Sequence, residues 1–169
     1  ARVAVRRRQG KPRFIDKLPH NWAELAFIRL ILPKAAIIDL RRDPRDCALS
    51  NFALLFAPGH PSSYDLDDWA TYHEAYRTFL RHCPVDVIPA RYEALVDDME
   101  GELRRILSAL GLPWQDACLD FAGNARAVAT ASAEQVRRPL NRAGIGAWKR
   151  FEPWLGDALP RLEALVDAD

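Results

Sequence analysis

No stretch of this chain is apolar for long enough to cross a bilayer, which takes about 20 residues in a row. Arginines, with no apolar segment behind them, occupy the first positions, so a secretory leader is not indicated either. A soluble, cytoplasmic protein is the expectation. Ala1 is not a natural start, which points to a sequence cut from something longer. Cysteine is scarce: Cys47, Cys83 and Cys118 are odd in number and far apart, with no pair at metal-ligand spacing. They read as reduced thiols packed as small hydrophobes. His20, His60, His73 and His82 form no ligand pattern, and no metal is expected. Of the eight glycines none precedes Gly10, and no Gly-x-x-x-x-Gly-Lys segment exists, which disfavours a nucleotide kinase. Internal repeats and low-complexity tracts are absent too.

What is present suits a packed domain. Hydrophobic residues make up 49% and charged residues 28% of 169 positions, enough for one domain or most of one. The net charge of +1 hides an uneven distribution. Residues 1–13 carry six basic side chains and no acid, so the remainder is net acidic. Inside that remainder, Gln135 to Phe151 holds five basic residues and no acid. A local positive stretch in an acidic body points to one anionic ligand site, not to a surface that coats nucleic acid. Residues 1–13 read as a solvated basic helix face.

Hydrophobic spacing predicts helices over 21–32, from Asp43-Pro44 to about Phe56, and over 66–82. Further helices are expected over 93–96, 99–110, 115–122, 147–155 and 158–166, with the longest loop from Gly123 to Ile145. Trp22, Trp148 and Trp154 stand at helical core positions. Two short apolar runs, 35–40 and 85–90, read as buried strands, the second with Pro89 near an edge or a ligand site. Strands alternating with helices imply an α/β layer with a parallel sheet. Two strands alone make a poor parallel core, so the sheet is expected to be incomplete in this chain.

The segment Arg42-Asp43-Pro44-Arg45-Asp46-Cys47-Ala48-Leu49-Ser50 is the sharpest feature. Arg42 falls at the C-terminal end of a strand, where open α/β sheets bind ligands. A helix follows whose N-terminal amides and dipole favour an anion. Asp43 and Ser50 share a helix face, so the Arg42 guanidinium and the Ser50 hydroxyl can converge on one phosphate. The competing reading is an arginine paired with Asp43 or Asp46. Arg45 faces solvent or Asp46, and Asp65, Asp67 and Asp68 read as a helix start.

The pattern Arg-x-Pro-x-x-x-x-x-Ser after a strand resembles the 3′-phosphate-binding element of the sulfotransferase superfamily. Four further segments resemble the same family in the same order. Phe14 to Pro19, with Leu32 to Ala35 beyond the helix, is similar to the stretch before that strand in bacterial and tyrosylprotein sulfotransferases. Arg91-Tyr92-Glu93-Ala94-Leu95 is similar to the Tyr-Glu-x-Leu signature, Thr130 to Pro139 to the tyrosylprotein branch and its bacterial repeat-linked relatives, and Asn141 to Lys149 to the last donor-binding loop.

This resemblance implies a P-loop-NTPase-like three-layer fold, with residues 1–169 as the C-terminal part of one sulfotransferase domain. It implies 3′-phosphoadenosine-5′-phosphosulfate (PAPS) as donor and adenosine 3′,5′-bisphosphate as product. The partner would be a hydroxyl-bearing acceptor: a peptide tyrosine, a sugar, a lipid or a small phenol. An upstream helical-repeat domain is a further implied partner. By the same resemblance Lys17 and Ser132 would act on the sulfuryl group, Arg42 and Ser50 would hold the 3′-phosphate, and Tyr92 would lie against the adenine. Arg142 and the amides of Gly144 and Gly146 would close over the 3′-phosphate, while Asn141 stands where other members often carry a further basic residue. Bland alternatives stand beside these: a turn-forming Ser132 and a core Tyr92. Nothing matches the family's Pro-Arg-Ser-Gly-Thr-Thr-like 5′-phosphosulfate loop, and the general base is expected upstream. The chain alone is therefore expected to bind donor weakly and turn over little. A non-catalytic nucleotide- or protein-binding module is the competing function. The acceptor-facing loop, Pro58 to Asp65, carries no readable signature.

Overall fold

Two parallel strands bring their C-terminal ends together. In the computed structural model, which describes residues 12–54, 61–120 and 140–166, β1 (Ile38–Arg41) pairs with β2 (Ile88–Arg91) in the register Ile38 to Ile88 through Arg41 to Arg91. Both strands begin three residues later than the apolar runs suggest. The Ala35 N–H donates to Leu32 O at 2.9 Å, so that residue belongs to the turn before the strand, and the ladder forms only once the segments lie alongside. The basic stretch 1–11, the Pro58–His60 part of the acceptor-facing loop, and 121–139 with Ser132 lie outside the described residues.

The first predicted helix divides into a 3-10 turn, Pro19–Glu24, and α1, Leu25–Ile31. Proline at the first position starts the turn with a preset φ. α2 (Pro44–Ala53) is capped by Asp43 and stops where Leu54 becomes extended. α3 (Leu66–His82) matches its predicted bounds, because Asp65 caps it at Asp67 N and Asp68 N and acids fill its first turn. α4 (Tyr92–Asp97) leaves β2 directly, and α5 (Met99–Ala109) follows with Asp98 as its cap. Of the predicted 115–122 helix, the described part is helical at Asp116–Cys118, as a 3-10 turn. The last described element is α6 (Ala158–Ala164).

The predicted helix 147–155 is instead two 3-10 turns, Ala147–Arg150 and Glu152–Trp154. Phe151 leaves helical geometry between them, and Pro153 lacks the donor a continuous helix would need there. The break rotates the second turn outward, so Trp148 is buried as expected while Trp154 is 75% exposed, against expectation.

Helices α2, α3 and α6 meet in the core around Ala48, Trp69, Ala70, Ala158 and the wholly buried Leu162. Three alanines at the meeting point let the backbones approach, and Leu162 fills the remaining space. Trp22 stands edge-on to Tyr72, Tyr76 and Phe79 of α3, and its Nε1–H donates to Tyr72 Oη at 2.6 Å. Tyr76 ties α3 to β1 by donating to Asp39 Oδ1 at 2.6 Å. Burial, with the Asp39 carboxylate beside it, pushes the Tyr76 phenol well above its ordinary value. The mixture of helices with a small parallel sheet is an α/β architecture. No described helix is long and apolar enough to cross a membrane.

Candidate donor-nucleotide site

Arg42 leaves the end of β1 and meets two other segments. Its Nη2 donates to Gly144 O at 2.5 Å, across 102 positions of sequence. Its guanidinium carbon lies 5.1 Å from the centroid of the Tyr92 ring, a cation–π distance. Tyr92 begins α4 just beyond β2, and its hydroxyl donates to Asn141 O at 3.2 Å. The ends of both strands and the 141–146 loop thus converge on one guanidinium. A Cβ at Gly144 would stand 2.6 Å from Arg42 Nη2, so a side chain there would displace the end of the guanidinium.

The alternative pairing of Arg42 with Asp43 or Asp46 is not formed. Arg45 takes Asp43 instead, with Nη2 to Oδ2 at 2.6 Å and Nε to Oδ1 at 3.0 Å. Arg45 also lies over the Trp148 ring at 4.2 Å, and its ion pair is with Asp43 and not with Asp46, the partner the sequence suggested. Burial alone would raise the Asp43 carboxyl, but hydrogen bonds from the Arg45 side chain and amide outweigh it and hold the group below its ordinary value of 3.8.

The start of α2 differs from expectation in one respect. Asp43 accepts the Arg45 N–H at 2.9 Å, and Glu93 Oε1 accepts the Asp43 N–H at 2.9 Å. These amides are committed to carboxylates, so an anion here would rely on side chains more than on the helix start. Ser50 is half-buried on α2. Helical spacing sets it between Asp46 and Cys47 on the helix surface. Burial pushes the Cys47 thiol up, opposed by the positive charge of Arg42 close by. Ser50 thus lies one turn beyond Asp46 and Cys47 on α2, and among the described residues no hydrogen bond joins it to Arg42.

Lys17, Arg142 and Gly146 are exposed or engaged with other groups. Lys17 is exposed on the segment entering the Pro19–Glu24 turn. Arg142 forms a largely exposed ion pair with Asp97. Such surface pairs contribute about 0–1 kcal/mol, so the guanidinium is cheaply released. The Gly146 N–H donates to Asp46 Oδ2 at 2.6 Å, which removes it from the set of amides open to a phosphate. Gly146 has φ +70, the left-handed conformation that starts the following 3-10 turn. Asn141, in place of a second basic residue, accepts the Ala143 N–H at 3.0 Å and folds the loop as an Asx-turn.

Two acids escaped the reading of the sequence. Glu93 holds the first peptide of α2 through Oε1, while its Oε2 is buried without a hydrogen bond. Asp46 is 2% exposed and accepts two loop amides. An acid in the first turn of a helix reads as a dipole partner. The available signal was the two acids in Asp43-Pro44-Arg45-Asp46, one more than a cap requires.

The Arg42 Nε–H is also buried and unpartnered. An unspent buried donor costs about 1–3 kcal/mol, and an oxyanion beside Arg42 would draw that donor into a bond. The site is therefore chemically suited to a phosphate. Among the described residues, no group of three His, Cys, Asp or Glu side chains could hold a metal ion.

The sequence resembles known proteins. An uncharacterized protein of Aquifex aeolicus is 32% identical over 159 residues, covering 90% of this chain and 21% of that protein. Protein-tyrosine sulfotransferase 1 of Danio rerio is 29% identical over 144 residues, covering 79% of this chain and 41% of that protein. The chain thus spans between a fifth and two fifths of the curated relatives it matches. The model of the Sulfotransferase family matches residues 1–116, a span that includes Arg42, Ser50 and Tyr92, and the chain belongs to that family.

Proposed function

We propose that this chain is the donor-nucleotide part of a PAPS-dependent sulfotransferase domain of P-loop-NTPase-like architecture. The convergence of the β1 end, the β2 end and the 141–146 loop on Arg42 carries the reading. Arg42 and Ser50 hold the donor's 3′-phosphate, joined by Arg142 when it leaves Asp97, and the Gly144 amide faces the same phosphate. Gly146 serves by its left-handed turn. Tyr92 presents its ring to the nucleotide beside Arg42.

In the reaction an acceptor oxygen attacks sulfur and the bond from sulfur to the phosphate oxygen breaks. Negative charge moves onto that oxygen, and the acceptor proton passes to a base. The Lys17 ammonium acts where this charge develops, the kind of preorganised stabilisation such transfers need. Ser132 donates to the sulfuryl oxygens. The likeness to a protein-tyrosine sulfotransferase favours a peptide tyrosine as acceptor.

Calorimetry on the full-length gene product tests the donor site, with adenosine 3′,5′-bisphosphate compared against adenosine 5′-monophosphate. The bisphosphate should bind more tightly. Arg42→Ala should weaken it by about 1.5–3 kcal/mol, the scale of hydrogen bonds to charged groups, and leave the monophosphate nearly unaffected. Equal affinity of wild type and variant for the bisphosphate overturns the assignment.

A further inference from the structure

We propose that Asp46 is a positioning residue for donor binding: it docks the 141–148 loop over Arg42 without touching the ligand. This rests on the donor-site reading above. The carboxylate is buried, and both oxygens are spent on backbone amides about a hundred positions away. Oδ2 accepts the Gly146 N–H at 2.6 Å and Oδ1 accepts the Trp148 N–H at 2.9 Å. These amides open the Ala147–Arg150 3-10 turn, whose own N-cap, Gly146, has no side chain to satisfy them. Asp46 is thus a helix cap supplied from another helix. A full negative charge meeting two N–H groups makes the stronger class of hydrogen bond.

The neighbouring contacts fix what this docking controls. Arg45, one residue before Asp46, covers the Trp148 ring, so consecutive residues of α2 hold the loop by ring and by backbone. Gly144 lies two positions before Gly146, and its carbonyl receives Arg42 Nη2 at 2.5 Å. A shift of the loop away from Arg42 breaks that bond, and a shift toward it pushes the guanidinium aside. Asp46 therefore sets the distance between Arg42 and the loop, and with it the width of the phosphate site. Asp46 and Ser50 lie one helical turn apart on α2, so one face of this helix carries both the clamp and the proposed phosphate hydroxyl.

Asp46→Asn in the full-length gene product is the test. It keeps the size of the side chain but turns an NH2 group toward one of the two amides, placing donor against donor. Exchange of the Gly146 and Trp148 amide hydrogens should accelerate. The Kd for adenosine 3′,5′-bisphosphate and the donor KM should each rise about tenfold, as for one lost charge-assisted bond. Turnover at saturating donor should stay within about twofold, because the chemical groups are untouched. Loss of folding alone would lower turnover through the active fraction and leave KM in place. Faster exchange with unchanged donor affinity overturns the proposal, as does unchanged exchange.

The unaltered protein supplies a second measurement that does not require the variant to fold. Its Gly146 and Trp148 amides should exchange more slowly than the Gly144 amide with no nucleotide present. Equal rates overturn the docking. Should wild type fail to bind the bisphosphate at all, the donor-site reading falls, while the exchange data still decide whether Asp46 holds the loop.

Discussion

The junction around Arg42 and the open face of the sheet are built on opposite principles. At the junction, Asp43, Asp46 and Glu93 each accept a backbone N–H at 2.6–2.9 Å, from Arg45, Gly146 and Asp43 respectively. The segments tied together come from three distant parts of the chain. Across the sheet, Ile38 and Leu40 of β1 are 46% and 60% exposed, and Phe27, Leu30 and Ile31 of α1 are exposed as well. Parallel strands are ordinarily covered on both faces. The comparison teaches that geometry at Arg42 is fixed by charge-assisted backbone pairing within the described residues, whereas the apolar side of β1 adds little to the stability of the chain as it stands.

The largest expected effect lies beneath the junction, where α2, α3 and α6 meet. Leu162→Ala removes a wholly buried side chain and should cost about 2–5 kcal/mol, the range for large-to-small core changes. Denaturant unfolding measures it. A loss below about 1 kcal/mol would be that of an uncritical surface position, and would show that these helices do not share a core supporting the site.

Most of this layout was legible in the sequence, and the exceptions have physical causes. α3 was read at its true bounds because Asp65 caps it and its apolar spacing is unbroken. Arg42 could be placed at a strand end because a short apolar, β-branched run precedes it, whereas Tyr92 stood out only through its resemblance to the Tyr-Glu-x-Leu signature. Trp154 was misplaced because a 3.6-residue period was assumed where Pro153 imposes 3-10 turns. Asp46 and Glu93 were missed for a different reason: their partners are backbone amides at positions 146, 148 and 43. Every residue but proline carries an N–H, so no side-chain pattern advertises such a partner. The same ambiguity hid the commitment of the α2 amides, since an Asp-Pro helix start looks alike whether or not an anion is bound there.

A smaller effect separates charge from shape at the junction. Asp43 has its carboxyl held below the ordinary value in the folded state, so its charged form favours folding. That contribution is complete above the unfolded value, about 3.9, and is lost as pH falls through the lower folded value. Asp43→Asn keeps an N-cap of comparable quality and removes the titration. The denaturation midpoint of wild type should therefore fall more steeply than that of the variant as pH drops below about 4. Parallel curves would show that the Arg45–Asp43 pair contributes geometry alone.

The smallest effect is the most informative about the open face. Leu40 stands opposite the buried Ala90 in the ladder, yet its own side chain points to solvent. Leu40→Thr keeps strand propensity, because threonine is β-branched, while removing apolar surface. In this chain the substitution should change stability by no more than about 0.5 kcal/mol, as at an exposed site. A loss of about 2 kcal/mol would instead be that of a covered apolar side chain, and the contrast with the junction would fail. Repeating the measurement in the full-length gene product sharpens the point. If Leu40→Thr is costly there and harmless here, a further layer packs on β1 in the longer protein. The junction around Arg42 would then be a finished structure, and the sheet beneath it one that draws part of its stability from elsewhere.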